Sequence, residues 1–528
     1  MQALRISLAA LTTALLLTAC GGGGGGGPAG SQTSNPTRGQ LAQNPPLRVA
    51  SLSATEFAGE LQAGGASGQQ LLALALANMT GGANLSALPC GVDVQYLKYG
   101  TVGGAGESTL ATGALMVPTG SGATCTGARP IVLYAHGTNI TKRYNIADLT
   151  DSTNPAYNEA LLLAALYAAQ GYIVVAPNYA GYDASTLPYH PYVNGDQQSK
   201  DMIDALAAAK SALPNLLNPV SASSKLFVTG YSQGGYVALA TQKALEAASV
   251  TVTASAPLSG PYALSLYVDT IFSSQVPLGS TALAPLLINS YKNSYPTDTY
   301  YSALTDIYNL PYATGIDTLM PGSYDTTTVF SSGKLPQTAL FQNSDPSFGG
   351  TTLTGTTPSS NGTMAANPLD VVGFASSGYL INNAYRGAYL ADASGYPNGS
   401  TPPFALPTFP GSSVNPADVL RKRLAQNDLR GFIPVAPVLL CGGSQDPTVF
   451  YPANTSVMVA NWTAASLSNW SVLDLESTGT TTWPYAAGFQ GQFAASKTAA
   501  GASAAQIYHG TLVPPWCNKA AKLFFDLH

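Results

Sequence analysis

Charge is what this 528-residue chain has least of. Asp, Glu, Lys and Arg make up 9% of it, against about 25% in an ordinary globular domain. The net charge is −5 and no basic run occurs, which removes the electrostatic footprint that nucleic-acid binding needs. Histidine is scarcer still, at four residues, so imidazole chemistry has few places to reside. Five cysteines occur without any C-x-x-C spacing, which argues against a zinc site. After the first twenty residues no apolar run is long enough to span a bilayer as a helix. What fills the chain is 45% hydrophobic residues, 54 glycines and 29 tyrosines. The surface must therefore be polar but uncharged, which leans towards an exported protein. The length suits one large or two ordinary domains.

The N-terminus agrees with export. Arg5 supplies a short positive region, and Ile6 to Leu17 is apolar but too short for a stable span. Leu17-Thr18-Ala19-Cys20 resembles a bacterial lipobox. That resemblance implies a leader over residues 1–19, cleavage before Cys20 and lipid on Cys20; the alternative is an ordinary signal peptide with an incidental Cys. Gly21 to Gly27 is unbroken glycine, and residues 20–46 stay poor in large apolar side chains, as a flexible tether would be. Four cysteines then remain: Cys90, Cys125, Cys441 and Cys517. An even number in an exported chain points to two disulfides, with three pairings open and free buried thiols as the alternative.

From Leu47 the chain reads as helix in part, notably Gln69 to Met79. Val92 to Thr101 and Thr109 to Val117 read as strands, joined by a turn containing Gly103, Gly104 and Gly106. Such a hairpin would bring Cys90 towards Cys125, the pairing we prefer. Pro130 to Ala135 and Gly171 to Ala176 are buried strands flanking an Ala/Leu-rich helix, Asn158 to Gln170. This βαβ pattern makes the sheet largely parallel. An amphipathic helix from Asp196 to Leu213 follows, and Val250 to Pro257 is a further strand. Between residues 261 and 429 the alternation is lost in a Tyr-, Pro- and Thr-rich stretch, ending in a helix-like run from Ala417 to Leu424. We read it as a cap inserted into a core of residues 47–260 and 430–528, with long surface loops as the plainer alternative. Strands at Val435 to Leu440 and Trp470 to Leu475, and helices at Val457 to Ala465 and Pro515 to Phe525, complete the core.

The chemistry centres on Gly230-Tyr231-Ser232-Gln233-Gly234. It fits G-x-S-x-G between a strand-like and a helix-like run, the context in which a strained turn exposes a nucleophilic Ser. A bare glycine-rich turn is the bland reading. A serine hydroxyl needs a base and the base an orienting carboxylate. His509 lies downstream in a Gly-flanked loop, whereas His136 and His190 lie upstream and His528 is the last residue. Asp446 directly follows a buried strand, where site residues of a parallel sheet belong. Asp474 is the runner-up, and Asp183 and Asp428 read as surface or capping groups. A Cys441–Cys517 bridge would tie the acid-bearing loop to the base-bearing one. Backbone N–H groups of Gln233 and Thr138 are the candidate oxyanion donors, with His136 bracing the loop.

The segments YAHGT (Tyr134 to Thr138), GYIVVAPNYAGYDAS (Gly171 to Ser185), HPY (His190 to Tyr192), GYSQGG (Gly230 to Gly235), NDL (Asn427 to Leu429), PVLLCGGSQDPTV (Pro437 to Val449) and His509-Gly510 resemble an α/β-hydrolase of the bacterial and fungal secreted lipase/esterase type. The resemblance implies an α/β fold: a mostly parallel central sheet with helices on both faces and a large inserted cap. Asn178 departs from it, since similar proteins usually carry Asp there. The implied function is a serine carboxylic-ester hydrolase using Ser232, His509 and Asp446, without cofactor or metal, on esters with an apolar acyl or aryl group. The implied protein is an exported, lipid-anchored monomer. A serine aminopeptidase on the same fold and a tethered binding protein with an inert core remain alternatives. For the former, Asp269, Asp298 and Asp306 are too scattered to claim an amine-binding cluster.

Overall fold

A computed structural model of the chain describes residues 36–218, 220–354, 373–409, 416–476 and 480–528. The expected leader, Cys20 and the glycine run lie outside the described residues. β1 (Leu47–Leu52) precedes helices α1 (Ala54–Ala63) and α2 (Gly65–Leu76), then a hairpin of β2 (Gly91–Val102) and β3 (Ser108–Thr119). Strands and helices then alternate through β4 (Gly127–Ala135), α3 (Tyr157–Leu166), β5 (Ile173–Pro177), α4 (Gly195–Ala212), β6 (Val220–Tyr231), α5 (Gln233–Ala247) and β7 (Ala254–Leu258). The inserted stretch contains α6 (Leu264–Ser273), α7 (Ser280–Ser294) and α8 (Thr326–Ser331). It continues with the two-residue strands β8 (Phe341–Gln342), β9 (Ser347–Phe348), β10 (Thr351–Thr352) and β11 (Phe374–Ala375), then α9 (Asn383–Gly395) and α10 (Pro416–Gln426). The core resumes with β12 (Val438–Gly442), α11 (Thr455–Ala464), β13 (Trp470–Asp474), α12 (Ala486–Ala500), α13 (Ala504–Ile507) and α14 (Val513–Asp526).

One nine-stranded sheet runs β1-β2-β3-β5-β4-β6-β7-β12-β13. Pairings from β1 to β5 are antiparallel and those from β5 to β13 parallel. β5, β7, β12 and the last six residues of β6 are buried throughout, the continuous apolar pattern of strands covered on both faces. α4 packs on α5, while α14 packs on β6, β7 and β12 together with α2 and α3. β4 has β5 on one side and β6 on the other, so the winding reverses there and opens a crevice at the strand ends.

Several expectations need correcting. Residues 36–46, expected as part of the tether, lie along the sheet edge instead. Gly39 and Ala42 donate to the carbonyls of Gly100 and Lys98 at 2.9 and 2.7 Å, and Arg38 reaches Asp204 at 2.9 and 3.1 Å. Low hydrophobicity did not free this segment, because backbone pairing with β2 holds it. The stretch read as helical in part from Leu47 opens with an edge strand, Leu47–Leu52, before its helices α1 and α2. The inserted stretch is helical where its composition obscured the pattern. It is fixed by the buried Arg421, whose guanidinium bonds Asp269 on α6 at 2.8 Å and Asp392 on α9 at 2.6 Å. Asp428 is not a surface group: it is buried, pairs with Arg430 at 2.6 Å and accepts from Ser265 N. The helix α12 has no counterpart in the sequence reading; it buries only Ala486, Phe489 and Phe493.

Candidate active site

The turn at the end of β6 begins the site. Ser232 has φ 60° and ψ −122° and stands at the N-cap of α5. This left-handed-side conformation is costly for a residue with a side chain. It is held by Ser232 N–H donating to Leu258 C=O at 2.9 Å, and by Ser232 C=O accepting from Gly235 N–H at 2.9 Å. The flanking glycines are sterically required. A Cβ on Gly234 would lie 1.9 Å from the Ala135 carbonyl oxygen, and one on Gly230 would lie 2.4 Å from it. The end of β4 therefore passes directly against the turn.

Three side chains far apart in sequence meet here. His509 Nε2 is 2.7 Å from Ser232 Oγ, and its Nδ1 is 2.6 Å from Asp446 Oδ2. Asp446 is buried in the turn after β12, where its other oxygen accepts from Thr448 N–H at 2.9 Å and Val449 N–H at 3.1 Å. Those donors fix which carboxylate oxygen faces the imidazole. His509 is not in a loop. It lies in a π-helical turn, Tyr508–Leu512, running into α14. Such a turn widens the helix and frees carbonyls, and the Tyr231 hydroxyl donates to His509 C=O at 2.5 Å. Cys441 on β12 is bridged to Cys517 on α14, and Cys90 to Cys125 across the open end of the hairpin.

The rival residues are committed elsewhere. Asp474 accepts from the N–H groups of Ser444 and Glu476, and burial pushes its carboxyl above the usual range. Both ring nitrogens of His136 face carbonyls, Gly137 at 2.6 Å and Asn178 at 3.0 Å. Its ring stacks between Tyr144 and Tyr179, and burial lowers its pKa. Asn178 uses both halves of its amide. It donates to Thr112 Oγ1 at 2.8 Å and accepts from Ile146 N–H at 2.8 Å, so the departure from Asp bears on a structural bond. Thr138 follows the end of β4, and its hydroxyl donates to Tyr192 OH at 3.2 Å. Gln233 is the first residue of α5, so its backbone N–H has no partner within the helix.

Comparison with solved structures adds the fold. The rice cell wall degrading esterase LipA from Xanthomonas oryzae, in a ligand-bound form, has a TM-score of 0.64 at 22% identity, covering 92% of this chain and 98% of its own. Another LipA crystal structure has a TM-score of 0.60 at 23% identity, covering 90% and 99%. The chain has the α/β-hydrolase fold. A putative hydrolase from Legionella pneumophila, 18% identical, is similar to this chain with a TM-score of 0.60, covering 92% of this chain and 98% of its own. A model of the prolyl oligopeptidase family matches residues 160–260, the stretch around the Ser232 turn. None of the curated proteins compared with this chain matches it.

Proposed function

We propose that the chain is a serine carboxylic-ester hydrolase. The observation that carries the reading is the contact chain Ser232 Oγ–His509 Nε2, 2.7 Å, and His509 Nδ1–Asp446 Oδ2, 2.6 Å. Ser232 Oγ attacks the ester carbonyl while His509 takes its proton on Nε2. Asp446 keeps the Nδ1–H tautomer in place and stabilises the imidazolium that forms. The tetrahedral oxyanion is met by the backbone N–H groups of Gln233 and Thr138. His509 returns the proton to the leaving alkoxide, and water then hydrolyses the acyl-enzyme by the same route. The Tyr- and Leu-rich inserted stretch suits an apolar acyl or aryl group. The test is hydrolysis of short p-nitrophenyl esters, with Ser232→Ala expected to abolish turnover without unfolding the protein. Undiminished turnover by that variant removes the reading.

The match around the Ser232 turn to the prolyl oligopeptidase family favours one second reading, a serine aminopeptidase. Against it, Asp269 is bonded to Arg421 and Asp298 to Arg423 at 2.6 Å, which leaves those carboxylates little capacity for a substrate amine. Peptide p-nitroanilides separate the two activities, and a fluorophosphonate probe that fails to label Ser232 would leave the inert binding protein. We also propose export, which the two disulfides support, and lipid on Cys20, which mass spectrometry of the mature N-terminal peptide would detect.

A further inference from the structure

The turn His190-Pro191-Tyr192 touches both residues whose backbone N–H groups are assigned to the oxyanion. We propose that this turn is a positioning element: His190 holds the Gln233 side chain and Tyr192 holds the Thr138 side chain, and together they set the spacing of the two N–H donors. The inference rests on the Ser232 reading above and extends it to residues that touch no substrate.

The His190 arm is determined by hydrogen-bond logic. His190 Nδ1 lies 3.0 Å from Ala180 C=O. A carbonyl only accepts, so Nδ1 carries the proton and Nε2 is left with its lone pair. Gln233 Nε2 sits 2.7 Å from that lone pair, so the amide presents its NH2 group. Burial lowers the His190 pKa to about 3, so the ring stays neutral and this polarity does not change near neutral pH. Ala180 is itself anchored, its N–H donating to Asp201 Oδ2 at 2.6 Å. Both ring bonds run the same way, from the Gln233 amide through His190 to the Ala180 carbonyl. Each donor is thereby polarised by the next acceptor. The ring is wedged among Tyr182 at 4.7 Å, Tyr179 at 5.6 Å and Tyr192 at 6.2 Å.

Two features indicate that the contact serves more than packing. Gln233 Oε1 is buried with no protein partner among the described residues, so an apolar side chain of this size would fill the space without stranding a carbonyl. The peptide joining Ser232 to Gln233 is also bounded on both sides. Ser232 N–H is tied to Leu258 C=O upstream, and the Gln233 side chain is tied to His190 downstream. The second arm is independent: Tyr192 OH accepts from Thr138 Oγ1 at 3.2 Å, two residues from the first arm. α5 itself holds the Ser232 carbonyl, so the turn refines the aim of the donors rather than creating the hole.

The test uses Gln233→Met and Tyr192→Phe, which remove the arms but keep the backbone donors. Fluorophosphonate labelling counts folded sites. For a p-nitrophenyl ester, kcat per labelled site is expected to fall roughly 10- to 100-fold in Gln233→Met, the scale of a small misplacement of an oxyanion donor. KM should change less than about twofold, and Tyr192→Phe should fall in the same direction. Affinity for a trifluoromethyl ketone, which forms an oxyanion on Ser232, should fall by the same factor as kcat/KM. His190→Gln, which can accept where Nε2 did, should recover more of the rate than His190→Asn, which cannot reach. The proposal is overturned if Gln233→Met keeps kcat within about threefold, or if its loss merely tracks the fraction of labelled sites. It is equally overturned if ketone affinity is unmoved, or if the two folded His190 variants are alike. Should both His190 variants fail to fold, the Gln233→Met result decides. Activity retained by Ser232→Ala would instead sink the parent reading, and this one with it.

Discussion

Asp446→Asn tests the proposed triad more sharply than Ser232→Ala. In the native protein Asp446 Oδ1 accepts from Thr448 and Val449 N–H, and Oδ2 faces His509 Nδ1 at 2.6 Å. Asparagine must keep its single carbonyl oxygen towards the two N–H donors, because an NH2 there would oppose both of them. Its NH2 group then stands where Oδ2 stood and donates to Nδ1. The imidazole is driven to the other tautomer, and Nε2–H points at Ser232 Oγ, where a lone pair is needed. The shape is preserved and the base is lost. Wrong-tautomer trapping of this kind costs about 10⁴ in kcat, or about 5 kcal/mol of transition-state stabilisation. The assay is kcat and KM on a short p-nitrophenyl ester, with thermal unfolding as the control for folding. Asp474→Asn, whose carboxylate is engaged by Ser444 and Glu476 N–H, should change the rate only a few-fold. A loss below tenfold in a folded Asp446→Asn protein, or a larger loss at Asp474, would refute the assignment.

The remaining predictions concern steric fit, the cap and pH. Gly234→Ala places a carbon 1.9 Å from Ala135 O, so the turn must shift; we expect inactive protein destabilised by a few kcal/mol, read by ester turnover and urea unfolding. Arg421→Met removes the buried guanidinium that bonds Asp269 and Asp392, which should cost about 3–5 kcal/mol. Limited proteolysis should then cut the inserted stretch before the sheet, and cleavage as slow as in the native protein would contradict this. Asp201 is pushed up to about 7, chiefly by burial and further by Asp204, against bonds from Tyr99 and Ala180 that lower it. An acid whose folded pKa is raised favours the native state below its unfolded pKa, near 4, and loses that contribution as pH rises through about 7. Asp201→Asn should therefore flatten the fall in stability between about pH 4 and 7, as measured by urea unfolding across that range; an unchanged slope would rule this out.

Local pattern carried much of this protein. Strand and helix runs around Ser232 were legible because a parallel strand is apolar throughout and a strained turn tolerates little but glycine on either side. Asp446 was legible because it follows a buried strand directly, and the hairpin glycines brought Cys90 to Cys125. Other features left no local trace. Residues 36–46 look like tether in composition, yet their backbone groups find partners on β2, and backbone pairing has no side-chain signature. The inserted stretch hid α6 and α9 because both are held by Arg421, whose two carboxylate partners lie 152 and 29 positions away. His509 reads as a loop residue between Tyr508 and Gly510, but the Tyr231 hydroxyl, 278 residues distant, satisfies its carbonyl within a π-turn. Most of all, the sequence alone sets His190 aside only because it lies upstream of Ser232. Only its neighbours Ala180 and Gln233 decide which ring nitrogen carries its proton, because tautomer is a property of hydrogen-bond partners and not of sequence.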